Sequence, residues 1–196
     1  MTTGAIGTNR LEAFSDGVIA IIVTIMVLEL RMPAEPTLNA LLKVAPSLVS
    51  YALSFMIVAI MWVNHHHMTH AVRKVTASLL WLNINLLFWM SLLPFTTEFM
   101  GKNHNAPFPV ACYGASLAFC ALAFTLLRAE LIAQHRDSGQ SDYHALMKRK
   151  NALSLLLYLA SIPLAYVTVY ASYAIFVGIA GAYFLPEKKL AESSHE

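Results

Sequence analysis

The chain has 196 residues, of which 58% are hydrophobic and 12% charged, with a formal net charge of +2 and a mean hydropathy of +0.59. That composition excludes an ordinary soluble globular domain and predicts an all-α integral membrane protein. The small positive charge is accounted for by loop residues on one side of the membrane, so no nucleic-acid partner is expected.

Stretches free of Asp, Glu, Lys and Arg run over 17–28, 44–71, 75–97, 103–127 and 151–186. A membrane span needs about 20 residues. The first stretch reaches that length only if it takes in Asp16 and Glu29, which makes it a span with charged ends. The last holds 36 residues, too many for one helix at modest tilt, and predicts two short helices joined by a tight turn near Tyr170 to Ser172. The expected organisation is one domain over 1–196 with six spans, at approximately 14–32, 44–67, 76–98, 107–128, 150–169 and 172–186.

Basic residues favour the cytoplasmic side. With six spans and the N-terminus inside, ten lie inside (Arg10, Arg73, Lys74, Arg128, Arg136, Lys148, Arg149, Lys150, Lys188, Lys189) and three outside (Arg31, Lys43, Lys102). Five spans would move Lys188 and Lys189 outside, so the charge bias favours six, with both termini cytoplasmic. The opening residues lack a charged region followed by an apolar one, and no cleaved signal peptide is expected. The polar connections fall at 31–43, 65–74, 98–106 and 128–150, the last read as a solvated loop with frayed helix ends. Cys112 and Cys120 lie eight residues apart on one predicted helix, which rules out a disulfide between them.

The chemistry gathers at the start of the first span, in Arg10-Leu11-Glu12-Ala13-Phe14-Ser15-Asp16. An ionisable group at a membrane edge is costly and usually paired. At about 100° per residue, Arg10, Phe14, Ile21, Thr24, Ile25 and Leu28 share one face, while Ser15 and Asp16 point away from it, toward neighbouring helices. The same apolar residues would also suit lipid packing, and the Thr24 hydroxyl could bond its own i−4 carbonyl. Partners for Asp16 are expected among His65, His66 and Asn83, where the second span ends and the third begins. His65, His66 and His67 point about 100° apart and cannot converge on one ion, so no metal site is expected, although His66 and His70 have i, i+4 spacing. Glu29 and Glu98 at the outer boundary read either as a cation-attracting vestibule or as two solvated acids. Trp62 and Trp81 suit interfacial anchors, and Trp89 is deep enough to be a packing residue.

Arg10-x-x-x-Phe14-Ser15-Asp16 before an apolar helix, Trp62-x-Asn64-His65-His66, and Asn83 ahead of Pro94-Phe95 together resemble the bacterial TMEM175 potassium channels. The resemblance covers the first three spans closely and the last three in length and order only. It implies a six-span subunit whose first helix lines the pore. Single-repeat members form tetramers and two-repeat animal relatives form dimers, so the one motif here points to a homotetramer. It also implies a hydrophobic constriction at Ile21, Ile25 and Leu28, a selectivity hydroxyl at Thr24, and a structural network of Arg10, Phe14, Ser15, Asp16, Trp62, His65, His66 and Asn83.

The expected function is therefore a potassium-permeable channel of modest preference for potassium over sodium, in a bacterial inner membrane. Its expected partners are copies of itself, the lipid bilayer and permeant potassium, with no cofactor and no catalysis. The chain has no Thr-Val-Gly-Tyr-Gly filter, so selectivity from carbonyl rings of the usual kind is not expected. A proton-coupled transporter using Asp16 is the alternative, weakened because transporter sites sit near the midplane among broken helices and internal repeats. A membrane enzyme built on the histidines would need more ligands than the sequence offers.

Overall fold

A computed structural model describes residues 7–69, 72, 75–134 and 141–184, with backbone alone at 141–148 and 184. Every regular element among them is helical: α1 (Thr8–Leu28), α2 (Leu38–Thr69), α3 (Ala77–Ser91), α4 (Leu93–Lys102), α5 (Pro107–Gln134), α6 (Ser141–Val167) and α7 (Val169–Phe184). Five segments are long and apolar enough to cross a membrane: α1, α2, α3 with α4, α5, and α6 from Arg149. The chain is a multi-pass membrane protein. The sixth expected span corresponds to α7, whose 16 residues extend only about 24 Å.

Three boundaries differ from expectation. The third span is not one helix, because Pro94 has no N–H to continue the ladder after α3, and Leu92 caps the break by donating to the Trp89 carbonyl. α4 then continues to Lys102, which puts Glu98 inside a helix and pairs it with Lys102 one turn on. The segment read as a solvated loop over 128–150 is mostly helix, since α5 runs to Gln134 and α6 begins at Ser141. Glu130 and Gln134 make this extension useful. Gln134 donates to both Glu130 and the Thr76 hydroxyl, and Thr76 caps α3 by accepting from the Leu79 N–H. The turn expected near Tyr170 to Ser172 falls at Thr168, in a run of three β-branched residues, Val167, Thr168 and Val169, that disfavours helix.

α5 is the buried centre, touching α3, α4, α6 and α7, whereas α1 rests on α2, α3 and α4. The α6–α7 hairpin is closed at both ends. Ser172 donates to the Ser161 carbonyl near the turn, and the Tyr183 hydroxyl donates to the Asn151 side-chain carbonyl at the far end. Buried hydroxyls cross-link the middle of the bundle, with Thr97 donating to Ser54 at 2.8 Å and Ser54 hydrogen-bonded to Tyr113 at 2.8 Å. Tyr113 meets Phe176 edge-on. Trp89 stacks on Phe119 with ring centres 4.1 Å apart, the packing role expected of it.

Gly114 lets α5 and α6 approach closely, because a Cβ there would run into the Ser161 hydroxyl, which is itself bonded to the Tyr158 carbonyl. Gly114→Ala is therefore expected to cost about 1 to 3 kcal/mol, read as a fall in melting temperature. Adding Ser161→Ala should recover part of the loss, and an unchanged melting temperature in the single variant would refute the close contact.

Candidate pore helix and its buried network

α1 divides cleanly into two faces. Leu11, Ser15, Ile19, Ile22 and Met26 are buried at helical spacing against the rest of the subunit. Opposite them, Phe14 (55% exposed), Ile21 (59%), Ile25 (41%) and Leu28 (77%) form a bare apolar stripe. Arg10 and Thr24 are exposed on the same face. The Thr24 hydroxyl donates to the Ala20 carbonyl at 2.7 Å, so its hydrogen is used within the helix and its lone pairs face outward.

The buried face is fixed at its first turns by two sets of polar contacts. Asn83 on α3 donates from its amide nitrogen to the Ser15 hydroxyl at 2.9 Å, and Ser15 donates to the Leu11 carbonyl at 2.9 Å. His65 on α2 reaches the Asn83 side-chain oxygen at 2.7 Å. That oxygen can only accept, so His65 carries its hydrogen on Nε2. Ser15, His65 and Asn83 are each at least 99% buried, and together they join α1, α2 and α3 at one point.

The second set is a ladder on the half-buried flank. Trp62 donates its indole N–H to Asp16 at 2.9 Å, and His66 Nδ1 lies 3.1 Å from Glu12. Glu12 and Asp16 are i, i+4 on α1, and Trp62 and His66 are i, i+4 on α2, with the two rings stacked at 5.9 Å. The partner expected for Asp16 was a histidine or Asn83. The indole takes that place because His65 is committed to Asn83 and His66 to Glu12. Glu12 was not singled out in the sequence, although the matched four-residue spacings of the two helices were readable there. Arg10 and Phe14 stand apart from both sets, on the exposed face.

His67 is exposed and Asn64 bonds its own Ile60 carbonyl, so neither joins the network. No cluster of three His, Cys, Asp or Glu able to hold a metal occurs among the described residues, and His70 lies outside them. Cys112 and Cys120 are unpaired thiols on α5.

At the opposite end of α1, a cavity of about 230 Å³ is lined by Glu29 and Glu98 but also by Arg31, Lys43 and Lys102. Glu29 lies past the last residue of α1, and the nearby Glu98 carboxyl group raises its pKa above the ordinary carboxylate value. Glu98's charge adds to the rise, and Lys102 and Arg31 oppose it. With both signs present, the two acids do not form a simple cation-attracting vestibule.

Comparison with known proteins places this arrangement. The family model described as "Endosomal/lysosomal potassium channel TMEM175" matches residues 10–94, which contain the exposed stripe and the whole buried network. A potassium channel of Chryseobacterium sp. strain P1-3 is 39% identical over 188 residues, covering 96% of this chain and 98% of that one. The endosomal/lysosomal proton channel TMEM175 of Gallus gallus is 32% identical over 169 residues, covering 74% of this chain and 33% of that one. The crystal structure of a lysosomal potassium-selective channel TMEM175 homolog from Chamaesiphon minutus superposes with a TM-score of 0.80 at 26% identity, covering 91% of this chain and 96% of that one. The chain belongs to the TMEM175 family of ion channels.

Proposed function

We propose that this protein is a potassium-permeable channel of the bacterial inner membrane, with both termini cytoplasmic, in which four copies line one pore with their first helices. The observation that carries this reading is the uncovered stripe of α1. Phe14, Ile21, Ile25 and Leu28 are left bare on a helix whose other face is locked by buried hydrogen bonds. A lipid-facing stripe would not call for so rigid a brace, whereas a pore wall must hold its radius. The relatives named as potassium channels in Chryseobacterium and Chamaesiphon support the same reading.

Four copies of Ile21, Ile25 and Leu28 around an axis form an apolar neck that excludes water when narrow and conducts when slightly wider. Thr24 lies on the same face, and its outward lone pairs suit a partly dehydrated cation. One ring of hydroxyls replaces only part of a hydration shell, so preference for potassium over sodium is modest. Asp16, held by Trp62 off the stripe, is a positioning residue. Asp16→Ala is expected to lower the melting temperature of the assembly without changing the potassium-to-sodium ratio. An intact assembly with altered selectivity would place the carboxylate on the ion path.

Purified protein in liposomes tests the reading. Passive rubidium uptake without a proton gradient is expected. Uptake that requires a proton gradient would favour a coupled transporter using Asp16, and proton flux without rubidium flux would give the chain the activity named for its chicken relative.

A further inference from the structure

Across the subunit from α1, a partly open cleft of about 50 Å³ lies between α2, α5, α6 and α7. Its walls are mostly apolar, with Ile57, Met61, Phe124 and Ile179 among them, and its polar end carries Asn151 and Tyr183. Asn151 is 92% buried, at 8% exposure. Its side-chain oxygen accepts from Tyr183, which leaves Nδ2 as a buried donor with no partner. A buried amide N–H left without an acceptor is costly, so the cleft is short of one hydrogen-bond acceptor.

The surroundings define the chemistry of that acceptor. Asn151 stands two residues beyond Arg149, where the apolar part of α6 begins, so it lies close to one end of a segment long enough to cross a membrane. Arg149 is exposed, and the Lys150 ammonium lies 5.9 Å from the centre of the Tyr183 ring at the same end. Basic groups at the boundary, an unmatched donor just below them and an apolar slot beneath follow the order of phosphate, ester carbonyl and methylenes in a lipid.

We propose that this cleft binds an anionic glycerophospholipid, with an ester carbonyl accepting from Asn151 Nδ2, the phosphate against Arg149 and the first methylenes of one acyl chain between Ile57 and Ile179. The site lies on the α6–α7 side, away from the main contacts of α1, which are with α2, α3 and α4, and is independent of what the pore conducts.

Native mass spectrometry of the delipidated full-length protein, titrated with palmitoyl-oleoyl phosphatidylglycerol or the matching phosphatidylcholine, tests this without any flux measurement. One phosphatidylglycerol per subunit is expected to bind more tightly than phosphatidylcholine. Asn151→Ala should weaken it about five- to tenfold, and Arg149→Gln should erase the difference between the two lipids. Equal binding of both lipids by the unaltered protein, or unchanged phosphatidylglycerol binding in Asn151→Ala, would overturn the proposal, as would retention of no lipid, which would leave water as the acceptor. Arg149→Gln, at an exposed position, keeps the headgroup assignment testable if Asn151→Ala fails to fold.

Discussion

Replacing Ile25 with asparagine is expected to raise potassium conductance severalfold. Ile25 sits midway along the bare stripe of α1, between Ile21 one turn before and Leu28 one turn after. If four such side chains form the neck, their contribution is an energetic barrier of dewetting more than a physical plug. An amide with the same number of heavy atoms supplies hydrogen bonds to water and fills somewhat less of the neck, so the neck hydrates and the closed state leaks. The paired control is Ile22→Asn. Ile22 is 2% exposed and belongs to the buried seam, so an asparagine there should destabilise the fold without producing leak. Single-channel and macroscopic currents in planar bilayers read both effects. A wild-type or reduced current in Ile25→Asn would remove Ile25 from the constriction.

The largest loss of stability is expected from Asn83→Leu. Among the described residues Asn83 alone bonds both Ser15 and His65, and all three are buried. Leucine has a branched side chain with the same number of heavy atoms but leaves the His65 Nε2–H without an acceptor and removes the donor to Ser15. One stranded buried donor and two lost bonds together amount to about 2 to 4 kcal/mol. Thermal unfolding of the detergent-solubilised assembly measures this. Asn85→Leu, two residues along the same helix and half-buried, should be close to neutral. Similar melting temperatures for the two variants would show that the relay contributes nothing beyond packing.

Much of this site was readable in the sequence because helix geometry is regular. The 100° step puts Ile21, Ile25 and Leu28 on a different face from Ser15, but residues 18–28 are apolar all round except Thr24, so it is the family resemblance that singles those three out; in the structure they are exposed and Ser15 is buried. The same rule excluded a shared ion for His65, His66 and His67, which diverge to Asn83, Glu12 and an exposed position. What periodicity does not provide is the azimuth between helices. Trp62 against Asp16 depends on how α2 rotates about its axis, and that rotation is set by the commitments of His65 and His66. Helix ends were also less legible. The continuation of α5 to Gln134 is stabilised by tertiary bonds to Thr76, and the α6–α7 turn at Thr168 has neither glycine nor proline to announce it. The break between α3 and α4 had a visible cause in Pro94, which the uninterrupted apolar run around it obscured.

In the proposed pore the stripe of α1 faces the potassium path. The most direct measurement is the potassium current of Ile21→Cys protein, with Cys112 and Cys120 replaced by alanine, before and after a small cationic thiol reagent. We expect the reagent to change the current rapidly and irreversibly in Ile21→Cys, and to leave Ile22→Cys unaffected. A current untouched by labelling at position 21, with the label shown by mass to be attached, would contradict the account.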